Sequence, residues 1–264
     1  RTYASVRLHV TASTGIYTPD QDAAPLILHP DVRRMLLTQR AYAEGARAFT
    51  YWIALEIDKE LSHPDEAVRQ AAADNVALLT PIIVQIFGGH GFIAENGMEQ
   101  YVRDARITQL YEGTNGVQAL DLLGRKVLGD MGAKLRAFGA IVQKFVEDNG
   151  VDPKMQEFVN PLADIGDKVQ KLTMEIGMKA MQNQDEVGAA SVPYQRVVGH
   201  MVFSYFWARM AKIALEKQEQ DDFYKAKLAT ARFYFAKLLP ETAGYIRQAR
   251  AGVACLQEMQ DDWF

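Results

Sequence analysis

The sequence contains one cysteine in 264 residues, no long apolar run and no excess of basic residues. The single cysteine, Cys255, excludes an internal disulfide and a cysteine-rich metal cluster, and it favours a reducing compartment. No apolar stretch approaches the ~20 residues that span a bilayer. The formal net charge of -4 argues against nucleic-acid binding, which needs a basic face. We therefore expect a cytoplasmic protein with no membrane span and no nucleic-acid partner.

Hydrophobic residues make up 48% of the chain, which is enough for a proper core. Past residue 28 their spacing is helical, and no stretch alternates with the period of two that half-buried strands show. The pattern predicts an all-α protein made of two helical bundles. We place the boundaries at a partial or irregular leading segment (1–28), a first helical domain (29–130) and an additional helical domain (131–264).

Apolar spacing predicts helices over approximately 30–60, 62–87, 97–107 and 115–128, and further helices with apolar stripes over 135–145, 165–176, 194–215, 223–239 and 241–257. Ser62 is the expected N-cap of the second helix, and Gly88-Gly89 the expected stop. Because Pro81 lacks a backbone donor, we expect a kink near Thr80 or a break there. The fourth helix is expected to bury four apolar residues: Val117, Leu120, Leu123 and Val127.

Three glycines fall within four positions of Gln85-Ile86-Phe87-Gly88-Gly89-His90-Gly91-Phe92, after the second helix. Glycine backbone can approach a ligand closely, but a common glycine helix stop explains the same residues. The segment is not a dinucleotide fingerprint, because no strand precedes it and no third glycine has the required spacing. Spacing alone leaves both interpretations open.

A second polar turn, Tyr111-Glu112-Gly113-Thr114-Asn115-Gly116, leads into an amphipathic helix with Thr114 as a natural N-cap. A carboxylate just before a helix start lies near free backbone N–H groups, which can hold an oxyanion while the side chain acts as a base. An ordinary capping loop with a solvated glutamate is the alternative.

Other chemistries have little support in the sequence. The five histidines are scattered, and no acidic residue keeps a zinc-ligand spacing with any of them, so we predict no metal site. Cys255 has no histidine nearby, and no serine lies in a Gly-x-Ser-x-Gly elbow. Nucleophilic catalysis is therefore not favoured.

Taken together, the two turns resemble the signature of the acyl-CoA dehydrogenase family. The matching motifs are, in order, Gln85-Ile86-Phe87-Gly88-Gly89-x-Gly91-Phe92, Glu99, Arg103-Asp104-Ala105-Arg106-Ile107 and Tyr111-Glu112-Gly113-Thr114. The match is densest over residues 85–128 and extends loosely back to about His29. The helices after residue 130 resemble the extra carboxy-terminal region of larger bacterial members, including those acting on methylmercaptopropionyl-CoA.

The resemblance implies FAD-dependent α,β-dehydrogenation of an acyl-CoA thioester to the trans-2-enoyl-CoA, with a fold of the acyl-CoA dehydrogenase C-terminal type. In the family, the residue matching Glu112 is the catalytic base that removes the α-proton, while the β-hydrogen leaves as hydride to the flavin. Tyr111 and Gly113 match substrate-binding positions. Burial beside an acyl chain is expected to raise the pKa of Glu112, which suits a base working near neutral pH.

The resemblance also implies cofactor contacts and partners. FAD-binding positions are matched by Gln85, Ile86, Phe87, Gly88, Gly89, Thr114, Asn115 and Gly116. The first five match a turn that touches FAD held mainly by a partner subunit, which implies a homodimer or homotetramer, and electron-transfer flavoprotein is the implied acceptor. The family's amino-terminal helical domain and central β-domain have no match here, so this chain alone is expected to be inactive. A non-catalytic helical assembly module and an acyl-CoA oxidase are the alternatives.

Overall fold

The structure is a computed structural model that describes residues 30–90 and 114–258. Within these two ranges the chain forms helices joined by short connections and contains no strand. The prediction of an all-α protein is therefore confirmed. None of the helices in these ranges is both long and apolar enough to cross a membrane. The predicted helix over 97–107 lies outside the described residues.

The first two helices, α1 (Pro30–Ser62) and α2 (Glu66–His90), pack against each other. Ser62 is the last residue of α1, so the prediction that it caps α2 is wrong. Asp65 takes that position, and its carboxylate accepts the backbone N–H of Ala67 at 2.8 Å. The reason is that α1 continues two residues past its predicted end, which moves the turn towards the next acceptor.

A buried carboxylate ties α1 to α2. Glu56 on α1 is only 4% exposed. It accepts a hydrogen bond from the side-chain amide of Asn75 on α2 at 2.8 Å and another from the ammonium of Lys59 at 2.7 Å. A buried charge is tolerated only with such partners, so this contact favours one alignment of the two helices.

The second described range begins with α3 (Thr114–Leu120). This helix continues directly into a π-helix (Asp121–Val127) and a 3-10 turn (Leu128–Asp130). The sequence predicts one regular helix here, and the structure contains a continuous helical segment whose second half is wound more widely. Such π turns are rare and occur frequently at functional sites.

The predicted apolar stripe of this segment is only half right. Leu123 and Val127 are fully buried as predicted, whereas Val117 is 54% and Leu120 is 44% exposed. The residue that begins the buried face is Ala119, which is fully buried. From it, the buried face continues through Leu122, Leu123 and Val127, which are also fully buried.

Helices α4 (Ala133–Asn149) and α5 (Gln156–Gln182) follow the predicted stripes. Each presents one apolar face to the core and polar residues to solvent, as an amphipathic helix does. The predicted positions that are buried are Leu135, Phe138, Val142, Ile165, Val169, Leu172 and Ile176.

Four further helices complete the described chain: α6 (Asp185–Lys217), α7 (Asp222–Phe233), α8 (Thr242–Ala251) and the short α9 (Ala254–Gln257). Between α7 and α8 the chain forms a π turn over 234–238 and a 3-10 turn over 239–241. The single helix predicted over 223–239 is thus a composite of three helical types.

Helix α6 is the centre of the molecule and packs against α1, α2, α3, α5, α7 and α8. Because neighbours surround it, apolar residues occur around its whole circumference. The indole N–H of Trp207 donates to the carbonyl of Ala41 on α1 at 3.2 Å, so the core joins residues 166 positions apart in sequence. Buried residues from both sides of residue 130 belong to one cluster. The domain boundary at 130 stays a prediction.

A buried histidine on α6 contacts a buried tyrosine of the second π turn. His200 Nδ1 lies 3.0 Å from the hydroxyl of Tyr234, which also donates to the His200 carbonyl at 3.1 Å. Burial, and to a smaller extent the charge of Arg196, lowers the pKa of His200 from its ordinary value of 6.5 to about 4. The folded protein therefore holds this histidine neutral at pH 7.

This shift predicts a loss of stability in mild acid. Since the pKa is lower in the folded state, the unfolded chain binds more protons between pH 6.5 and pH 4. The stabilisation is present above pH 6.5 and is lost as the pH falls through that window, by up to about 3 kcal/mol. We expect urea unfolding at pH 7 and pH 4.5 to show a smaller pH dependence in His200→Gln than in the parent, with His63→Gln as the control. Equal pH dependence in the parent and in His200→Gln would contradict the assignment.

Candidate active site

The first predicted cofactor segment, Gln85–Gly89, lies in the last turns of α2. The helix runs to His90, so the prediction that Gly88-Gly89 ends it is wrong. Glycine lowers helix stability by only about 1 kcal/mol relative to alanine and keeps its backbone hydrogen bonds, so a packed helix can continue through it. The predicted ligand segment is therefore helical, and the side chains of 83–90 lie outside the described part.

Helix α2 also continues through Pro81, so of the two expected outcomes the break is wrong and the kink stays a prediction. Proline removes one backbone donor from the helix interior. A tertiary contact supports the helix at this point: the side-chain amide of Gln195 on α6 donates to the Pro81 carbonyl at 2.9 Å. Gln195 is only 2% exposed.

Only the second half of the other predicted segment, Tyr111–Gly116, belongs to the described residues. Tyr111, Glu112 and Gly113, the predicted substrate contacts and catalytic base, lie outside the described residues. Thr114 is the first residue of α3, so it belongs to the helix rather than to the cap position before it. Asn115 and Gly116 follow in the same first turn.

The backbone at Gly116 is not covered by the described part of the chain. A Cβ placed on Gly116 would have no atom of the described residues within 4 Å. Helix α3 contacts α2, and the two segments with predicted FAD contacts are therefore carried by neighbouring helices. Open backbone beside a glycine-containing helix end is compatible with the phosphate and ribityl groups of a flavin nucleotide.

Three charged residues connect α2, the 3-10 turn that follows the π-helix, and α4. The Lys134 ammonium on α4 lies 3.3 Å from Asp130 and 3.6 Å from Asp74 on α2. Desolvation raises the pKa of Asp130, but hydrogen bonds from the backbone and side chain of Lys134 and from the backbone of Gly132 outweigh it and lower that pKa. The carboxylate is thus kept ionised and fixes the turn where the π-helix segment ends.

Sequence reasoning missed two features of this site. The sequence around Gln195 does not indicate its role, because its hydrogen-bond partner, the Pro81 carbonyl, is 114 residues away. The π-helix after α3 has only a weak signal, the glycine at 124 within an apolar stripe. In residues 30–90 and 114–258 no group of three or more His, Cys, Asp or Glu residues could hold a metal ion, and the predicted lack of a metal stays a prediction.

Two family models match the chain. The acyl-CoA dehydrogenase C-terminal domain matches residues 15–128, and the acetyl-CoA dehydrogenase C-terminal-like family matches residues 138–260. The 3-methylmercaptopropionyl-CoA dehydrogenase of Ruegeria pomeroyi is 35% identical over 240 residues, which are 84% of this chain and 41% of that protein. The broad-specificity linear acyl-CoA dehydrogenase FadE5 of Mycobacterium tuberculosis is 30% identical over 267 residues, covering 90% of this chain and 44% of that protein.

Other relatives match over a smaller share of the chain. The short-chain specific acyl-CoA dehydrogenase of Megasphaera elsdenii is 36% identical over 104 residues, which are 38% of this chain. On these matches and the all-α fold, the chain belongs to the acyl-CoA dehydrogenase family. It spans less than half the length of the two relatives that match nearly all of it.

Proposed function

We propose that this chain supplies the catalytic-base region of a flavoenzyme that converts an acyl-CoA thioester to the trans-2-enoyl-CoA. The observation that supports the proposal is a contact between two helices. Helix α3, which begins two residues after Glu112, contacts α2, whose last turns contain Gln85–Gly89. The family match over residues 15–128 includes both motifs.

In this proposal the residues of the Tyr111–Thr114 turn act on the substrate. The Glu112 carboxylate removes the α-proton, and its backbone N–H donates to the thioester carbonyl, where negative charge develops. Tyr111 and Gly113 lie against the substrate. Bound FAD supplies the acceptor for the β-hydride, and it is held by Thr114, Asn115, Gly116 and the residues of Gln85–Gly89.

The same proposal covers the assembly and its partners. FAD is shared between subunits of a homodimer or homotetramer, and electron-transfer flavoprotein receives the electrons. The protein is proposed to work in the cytoplasm and in fatty acid metabolism. The names of the Ruegeria pomeroyi and Mycobacterium tuberculosis relatives point to sulfur-containing and linear acyl chains as test substrates.

The test is carried out on the full-length protein that contains this chain. We expect the purified protein to hold FAD and to convert butyryl-CoA or 3-methylmercaptopropionyl-CoA to a product with two hydrogens fewer, detected by mass spectrometry. The reaction should require an artificial electron acceptor and proceed slowly with oxygen alone.

The outcomes separate the alternatives. Protein without flavin and without turnover contradicts the proposal and supports a helical assembly module. Fast turnover with oxygen as the only acceptor identifies an acyl-CoA oxidase instead, because an oxidase lets oxygen reach the reduced flavin.

A further inference from the structure

One helix contacts both segments that carry the proposed site. Helix α6 packs against α2 on one side and against α3 and the following π-helix on the other. On the α3 side, a Cβ placed on Gly124 would lie 3.7 Å from Val187 Cγ1 of α6, an ordinary van der Waals distance. On the α2 side, a Cβ on Gly199 of α6 would lie 3.6 Å from Ile82 Cγ2. Helix α6 therefore contacts both elements, which also contact each other directly.

One polar contact between described residues joins α6 to α2 at this interface. Gln195 is the α6 residue whose side-chain amide donates to the Pro81 carbonyl at 2.9 Å. Both partners are buried. A buried amide without its hydrogen-bond partner is costly, so the pair strongly favours one placement of the Pro81 carbonyl.

The contact occurs at the proline inside α2. Pro81 has no N–H to donate to the carbonyl one turn earlier, so the helix lacks one of its own bonds at this point. An anchor from outside the helix therefore has more influence here than in a regular stretch. The Pro81 carbonyl also lies one helical turn before Gln85, where the proposed FAD segment begins.

We propose that Gln195 is a positioning residue for FAD: by holding the Pro81 carbonyl, it fixes the last turns of α2 and the cofactor-contacting Gln85–Gly89 segment. The inference rests on the proposed function. Gln195 acts through the helix backbone and has no contact of its own with the cofactor. The alternative is an ordinary buried hydrogen bond that contributes to folding alone.

The two roles are separated by a pair of matched variants on adjacent residues. Gln195→Met removes the amide and keeps a buried side chain of similar length. Tyr194→Phe removes the neighbouring buried hydroxyl, which lies 2.7 Å from Thr173 Oγ1 on α5. Each change deletes one buried hydrogen bond of α6, but only the first faces α2.

We would measure two quantities in the full-length protein, at a temperature where thermal melts show both variants folded. The first is the Kd for FAD after flavin removal, and the second is amide hydrogen exchange over residues 83–90 in the flavin-free protein. For Gln195→Met we expect the Kd to rise about tenfold and exchange to accelerate about tenfold. A tenfold change corresponds to the free energy that one buried hydrogen bond contributes. For Tyr194→Phe we expect both to stay within about twofold of the parent, because its lost bond faces α5.

Each result decides between the explanations. Equal effects of the two variants on the Kd, or no effect of either, would overturn the positioning role while leaving the flavoenzyme proposal intact. Faster exchange in Gln195→Met with an unchanged Kd would also overturn it, because the anchored helix end would then not determine FAD binding. A parent protein that binds no FAD would instead contradict the proposed function, and the positioning role with it.

Discussion

Replacement of Glu112 by glutamine is expected to lower turnover of an acyl-CoA by at least about 1,000-fold, within the range that a general base contributes. The amide has nearly the shape of the carboxylate but cannot accept the α-proton. Its backbone N–H is unchanged, so the hydrogen bond to the thioester carbonyl is retained. The Kd for FAD should therefore stay close to that of the parent. The measurement is steady-state turnover of the full-length protein with an artificial electron acceptor.

A matched substitution controls for the loss of one negative charge. Glu219 lies exposed in the turn after α6, far in sequence from either proposed segment. Glu219→Gln should keep the parent's activity. If Glu112→Gln keeps more than about a tenth of the activity, a different residue is the base; if it loses FAD as well, the turn has a structural role.

The largest stability effect is expected at Trp207. Its side chain is fully buried, and its indole N–H donates to the Ala41 carbonyl at 3.2 Å. The packing on α1 is close, because a Cβ placed on Gly45 would lie 2.9 Å from the indole nitrogen. Trp207→Ala should lower the free energy of unfolding by about 3–5 kcal/mol, through lost burial and the cavity that remains.

Urea unfolding measures this effect, with an exposed aromatic residue as the control. Tyr51 on α1 is 69% exposed, so Tyr51→Ala should change the free energy of unfolding by no more than about 0.5 kcal/mol. A loss below about 1 kcal/mol for Trp207→Ala would contradict the shared core of α1 and α6.

The regular helices were predictable because their residues repeat one spacing. The stripe of Ile165, Val169, Leu172 and Ile176 is buried on α5 as its spacing of four, three and four requires. The same reasoning failed for Val117 and Leu120, which are exposed in the α-helical part before the π-helix that begins at Asp121. Packing against α6, which no local pattern encodes, accompanies this change of winding.

Helix ends and tertiary contacts were also only partly predictable from the sequence. Ser62 and Asp65 are both good capping residues. Which of them caps α2 depends on where α1 ends, and because α1 includes Ser62, the cap is Asp65. Pro81 was expected to kink or break α2, but the helix continues through it, and its carbonyl accepts a hydrogen bond from Gln195, a contact that the sequence does not indicate. The motif around Glu112 was recognisable from its residue order, and its role as the base stays a prediction.

The most direct test of the central claim is the visible flavin spectrum of the full-length protein, recorded under anaerobic conditions before and after an acyl-CoA is added. If Glu112 removes the α-proton, the absorbance of oxidised flavin should bleach in the parent and in Glu219→Gln and persist in Glu112→Gln. Bleaching at an unchanged rate in Glu112→Gln, or the absence of a flavin spectrum in the parent, would contradict the account.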